Sequence, residues 1–266
     1  MVLNNKAAFS ILLERHVPSG SQTAALDSLR GLPDVPVLSE TLLLMELKIR
    51  EQAVDLREVS NLVLTDLGAT VQVMRAAASE DYSADCRITR IEDCISGLGL
   101  QACLEAMARR PLKRSSRQTE VVEAWLHARN TAENSRFLAL EEYPNIHPDE
   151  AYLVGLLHAI GTLPTVLGWS RTPDLPRDPM LAGLKMAEAW SLPHCVEEYF
   201  SALRAPKGAN RWTHIVGLAH QQADRSLLKC AAGCKLPAHL GSEAMQLVPV
   251  PSRLTDQVPE RQIAFG

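Results

Sequence analysis

Long apolar runs are missing from this chain, which removes the simplest kind of membrane span, a helix of about 20 consecutive apolar residues. Near the start, Ala7 to Leu13 is apolar but short, and Glu14 and Arg15 follow at once. It lacks the charged-then-apolar layout and the small-residue cleavage site of a secretory signal, so a short amphipathic helix is expected there. Cysteine is sparse. Cys86, Cys94, Cys103, Cys195, Cys230 and Cys234 are scattered over 266 residues, too thinly for a disulfide-stapled domain, and a reduced, cytoplasmic setting is the expectation. An excess of charge of one sign is also lacking: 27 basic residues face 31 acidic ones for a formal net charge of -4. No general attraction to nucleic acid or to an anionic membrane follows from that balance. There is no G-x-x-x-x-G-K-[ST] loop, no dinucleotide fingerprint and no G-x-S-x-G turn, which argues against the common nucleotide-binding and serine-hydrolase mechanisms. Nor is there convincing strand alternation.

What the chain does have is helical periodicity and enough apolar residues, 46%, to bury a sizeable core. Residues 18–36, rich in Pro, Gly and Ser, are expected to be a linker. A helix opened by Pro36 follows over 36–51, with Leu38, Leu42, Met45 and Ile49 on one face. Asp55 and Glu58 have capping-box spacing before the stripe Leu56, Val59, Val63. Leu67 to Ala78 forms a further helix. Thr89 and Glu92 repeat the capping-box spacing, and Leu100 to Arg109 resumes after Gly97 and Gly99. These two short helices are a poor DNA reader, because the second offers Gln101, Cys103, Glu105 and Ala106 to phosphates or base edges. A long helix from Gln118 to about Glu142 carries His127. Asp178 and Pro179 open a helix to Trp190, His194 to Arg204 forms the next, and Trp212 to Leu228 the last. The fold class expected is all-α, with residues 229–266, containing Pro237, Pro249, Pro251 and Pro259, as a loosely held tail.

The centre of this pattern is AYLVGLLHAIGT, Ala151 to Thr162. Pro148 suits a first helical position, Asp149 and Glu150 complement the helix dipole, and the run is apolar on nearly all sides, so a central buried helix containing His158 is expected.

The blocks LPDVPVLSETLLLMELK, LREVSNLVLTDLGATVQVMRAAAS and ITRIEDCISGLGLQACLEAMA resemble, in this order, the first part of an HDOD domain, a bacterial output domain related to HD hydrolases. WLHARNTAENSRFLAL, PDEAYLVGLLHAIGTL, AEAWSLPHCVEEYF and HIVGLAHQQAD are similar to its remaining blocks. The resemblance implies two packed helical lobes, 32–116 and an HD-hydrolase-like 117–228, following an extension at 1–31. It implies a regulatory module that binds a signalling protein partner, with a small-molecule effector also possible, rather than an enzyme.

The residues allow a check on the chemistry. Metal-dependent phosphoester hydrolysis needs imidazoles and carboxylates around a divalent ion that activates water. By the resemblance His127 matches the first ligand position and His158 the second, but Ala159 stands where the ligating Asp should be. His220 occupies the place of another Asp, with Asp224 one helical turn further on the same face. These five positions mark a vestigial site: no catalytic residue, metal or other cofactor is expected, and buried core histidine is the ordinary reading of His127, His158 and His220. The alternative is a divergent metal-dependent phosphohydrolase or phosphodiesterase using the three histidines and Asp224; three converging imidazoles could still bind zinc. Cys230, Cys234 and His239 make only a half-site, for which ordinary packing is the simpler account. Trp125, Trp169, Trp190 and Trp212 are expected in the core.

Overall fold

The chain enters its first lobe as an extended segment rather than a helix. In the computed structural model, which describes residues 32–51, 54–79, 90–112, 118–169, 175–205 and 210–230 with the side chains of 224–230 excepted, Leu32, Val35 and Val37 are all buried. Val37 forms an isolated parallel bridge with Pro111: its N–H donates to the Arg110 carbonyl at 3.0 Å, and the Leu112 N–H donates to its own carbonyl at 2.7 Å. The helix expected to open at Pro36 therefore begins later, as α1, Ser39–Ile49, and 32–36 belong to the core rather than to a linker. Apolar side chains alternate here with Pro, and burial of the former outweighs the turn-like composition.

Four further helices complete this lobe: α2 (Leu56–Leu64), α3 (Leu67–Ser79), α4 (Ile91–Leu98) and α5 (Leu100–Ala108). Asp55 caps α2, but by accepting the Arg57 N–H at 2.8 Å instead of that of Glu58. Glu58 does not close a capping box. Its carboxylate lies 2.6 Å from Lys48 Nζ at the end of α1, where a full positive charge competes with a backbone amide and wins. Thr89, expected to cap the next helix, lies outside the described residues. Arg90 holds the cap position of α4 without a side-chain cap, and Glu92 pairs with Arg90 at 3.1 Å. Gly99 joins α4 to α5 at φ +80°, a conformation that L side chains rarely adopt.

The second lobe is built on α6 (Gln118–Glu141) and α7 (Pro148–Leu157), the most extensively packed pair of helices in the molecule. His147 caps α7, its Nδ1 accepting the Asp149 N–H, and Pro148 fills the first turn. Every residue from Ala151 to Leu157 is buried, as an all-round apolar run requires. The helix stops earlier than expected, however. His158 is its C-cap, Ala159 leaves helical geometry at φ -106°, and a 3-10 turn over Ile160–Thr162 leads into the short α8 (Leu163–Val166). Thr162 helps to hold this turn by donating to the Ala159 carbonyl at 2.7 Å. Next come α9 (Pro179–Ala189), capped by Asp178, then α10 (His194–Arg204) and α11 (Arg211–Cys230), which lies along α6 and α7. Trp125, Trp190 and Trp212 are buried in the core, and Trp169 lies at its edge. Among the described residues no helix is long and apolar enough to cross a membrane.

Close approach of α6 and α7 depends on Gly155. A Cβ there would come within 2.7 Å of Ser135 Oγ and 2.8 Å of Ala132 Cα. Neither helix backbone can give way cheaply, so Gly155→Val is expected to cost about 1–3 kcal/mol as an overpacking change. Denaturant midpoints of the variant and the parent check this; an unchanged midpoint would mean the two helices are not tightly apposed.

Candidate functional site

Three helices deliver one imidazole each to the same point. His127 comes from the middle of α6, His158 from the C-cap of α7 and His220 from α11, and all three are buried. His127 Nε2 lies 2.9 Å from His220 Nδ1, which is itself 3.3 Å from His158 Nε2. Ring centroids are 5.4, 4.6 and 5.3 Å apart for the pairs 127–158, 127–220 and 158–220. One ligand nitrogen from each ring lies within 4.8 Å of the other two.

The backbone fixes how His158 is presented. Its Nδ1 is 2.6 Å from the Gly155 carbonyl, and a carbonyl can only accept, so Nδ1 carries the proton and Nε2 turns its lone pair to the other two rings. This bond needs the helix to end here: the α7 carbonyls are released at its C-terminus, and an imidazole at the cap can reach back to one. Burial, with His220 alongside, pushes the His127 imidazole down to about 3. Burial does the same to His158, reinforced by His127 and His220. Both rings are therefore neutral near pH 7 and poor bases.

Of the five positions expected to mark the site, the structure brings together His127, His158 and His220. Ala159 follows at the helix end and offers no ligand atom. The Asp224 side chain lies outside the described residues, as do the side chain of Cys230 and all of Cys234 and His239. A hydrolytic centre of the HD type would need carboxylates to neutralise the ion and hold an activated water. Among the described residues the ligand-capable group contains histidine alone. Among the described residues nucleophilic cysteine is no substitute: burial pushes the Cys94 and Cys195 thiols up to about 12 and that of Cys103 up to about 11.

Sequence reasoning missed Asp66, the fully buried carboxylate that ties the lobes together. Its Oδ2 accepts the Leu38 N–H at 2.8 Å at the head of α1. Its Oδ1 accepts from Gly68 N at 2.8 Å, Ala69 N at 3.2 Å and, across the lobe boundary, Trp125 Nε1 at 2.9 Å. Burial raises its pKa, and the donors oppose that shift. The acidic residue directly before Leu67 in LTDLG was the available signal, since that is a helix-cap position. Tyr152 provides a second tie, its hydroxyl donating to the Leu64 carbonyl at 3.0 Å.

Beside these ties lies an interlobe cleft of about 350 Å³. Arg57 and Asn61 line it from the first lobe with Arg90, and Arg136, Asp149 and Tyr152 from the second. Asp149 is 3.4 Å from Arg136 and 4.0 Å from Arg90, so its carboxylate bridges cations of both lobes.

The family model for the HDOD domain matches residues 35–174. The chain belongs to the HDOD domain family. No curated protein matches. Among solved structures, two crystal structures of the MmoQ response regulator from Methylococcus capsulatus superpose on this HDOD chain with TM-scores of 0.61 and 0.56 at 17% identity. They cover 80% and 78% of it and 93% and 94% of their own chains, respectively, and at that identity they show the shared all-helical fold. An HDOD domain protein of unknown function from Geobacter sulfurreducens is 21% identical over 85% of this chain and 87% of its own, with a TM-score of 0.31.

Proposed function

We propose that residues 32–228 form a non-catalytic regulatory module of bacterial signal transduction, which works by presenting a helical surface to a protein partner. The observation that carries this reading is the composition of the buried centre. Its imidazoles keep their place between α6, α7 and α11, while Ala159 and His220 stand where the resemblance puts carboxylates, so among the described residues the framework persists without the carboxylates expected of an HD centre. Membership of the HDOD family and the likeness to a response regulator support it. So does the outward side of α6, where Leu126, Phe137 and Leu140 are exposed within a narrow arc of the helix. The interlobe cleft is suited to a small effector, with arginines from both lobes among its lining residues.

The convergence of the three histidines is the one observation that favours the alternative, a divergent metal-dependent phosphohydrolase. Alanine substitution of His127 and His158 in the native host distinguishes the two. The regulatory reading expects output to follow folding and partner binding. Output lost while folding and partner binding stay intact would hand the function to catalysis.

A further inference from the structure

The three imidazoles leave a question of proton count that hydrogen bonding alone does not answer. His158 Nε2 is a lone pair, because its Nδ1–H is committed to Gly155. A single proton then serves the contact between His220 Nδ1 and His127 Nε2. If His220 carries it, it must be shared between two acceptors, His127 and His158. If His127 carries it, the lone pairs of His220 Nδ1 and His158 Nε2 face each other at 3.3 Å. Either way two lone pairs and one proton are held at one buried point, an arrangement that attracts a cation.

The spacing suits a particular kind of cation. Zinc binds imidazole nitrogen at about 2.0–2.1 Å in tetrahedral geometry, which puts neighbouring ligand nitrogens about 3.3 Å apart. The nitrogen pairs here are 2.9 and 3.3 Å apart, and all three atoms lie within 4.8 Å of one another. His158 is also supported as metal-bound histidines generally are, with its other ring N–H fixed by a backbone carbonyl. Neutral imidazole donors without carboxylate suit zinc and its neighbours, whereas magnesium and calcium require oxygen ligands.

We infer that His127, His158 and His220 together hold one zinc-class divalent ion, which fastens α11 to α6 and α7. The ion takes the three lone pairs, and the ring that held the shared proton moves it to its other nitrogen. The inference stands on the geometry of the three rings and does not depend on the regulatory reading.

The test uses the full chain, because Cys230, Cys234 and His239 offer a competing set of ligands. The protein is stripped with chelator, exposed to zinc, dialysed and assayed for metal, alongside His158→Ala, His220→Gln and the double variant Cys230→Ser with Cys234→Ser. About one ion per chain is expected in the parent and in the cysteine variant, falling at least tenfold in either histidine variant, with a higher melting temperature for the zinc form of the parent. Cobalt in place of zinc gives a second reading that requires no histidine variant to fold: a spectrum of nitrogen ligation without a thiolate charge-transfer band. Folded parent protein that keeps no ion would overturn the inference. So would an ion that persists in the histidine variants, is lost with the cysteines, or shows thiolate ligation to cobalt.

Discussion

Asp66→Ala is expected to destabilise the domain by about 3–5 kcal/mol, the scale of leaving several buried donors without their acceptor at about 1–3 kcal/mol each. The substitution strands the Leu38, Gly68 and Ala69 amides and the Trp125 indole N–H, and each buried unsatisfied donor is costly by itself. It acts on both lobes at once, because α1 and α3 start at this carboxylate and α6 is held to it through Trp125. Trp125→Phe removes a single donor and keeps most of the apolar volume, so its cost should be smaller, and the double variant should show strong coupling between the two positions. Urea denaturation of the three variants measures the effect. A loss under 1 kcal/mol for Asp66→Ala would mean the carboxylate is not the tie between the lobes.

Acidification from pH 6.5 to 5, in the presence of chelator, is expected to weaken the fold before most carboxylates titrate. His127 takes up a proton near its ordinary value of 6.5 when unfolded, but in the folded protein burial beside His220 delays this to about 3. His158 shifts in the same direction. The unfolded chain thus binds more protons throughout that window. The stability from keeping these rings neutral is fully present above pH 6.5 and drains away below it. Thermal melts at half-unit intervals follow the loss, and His127→Leu should flatten the slope. A midpoint constant from pH 6.5 to 5 would show that the rings are not held neutral in the folded state.

Legibility in the sequence followed the range of the interactions. The α7 core was readable because its determinants are local: Pro148 at the start, acidic residues in the first turn and an unbroken apolar run. His158 stood out within its apolar run, and His127 and His220 through the resemblance to HD-related domains, but their meeting depends on α11 packing across α6 and α7, which no local spacing encodes. Asp66 was missed for a related reason. Taken alone it is an ordinary helix cap, and its importance comes from Leu38 and Trp125, 28 and 59 residues away. Val35 sits among prolines and looks like linker, yet its carbonyl accepts from Gln72 Nε2, 37 residues away, and Val37, expected within a helix, instead bridges to Arg110 and Leu112. Glu58 shows the reverse error, in which a correct local rule, the capping box, lost to a lysine on a neighbouring helix.

The central claim is that the buried centre has kept imidazoles but lost phosphoester chemistry. The most direct test is turnover of phosphomonoester and phosphodiester substrates by the purified chain supplied in turn with manganese, iron and zinc, with His158→Ala as the control. The account predicts that the two proteins are indistinguishable, with no metal-dependent rate above the control for any substrate. Metal-dependent turnover by the parent that disappears in His158→Ala would contradict it and make the three histidines the ligands of a working hydrolase.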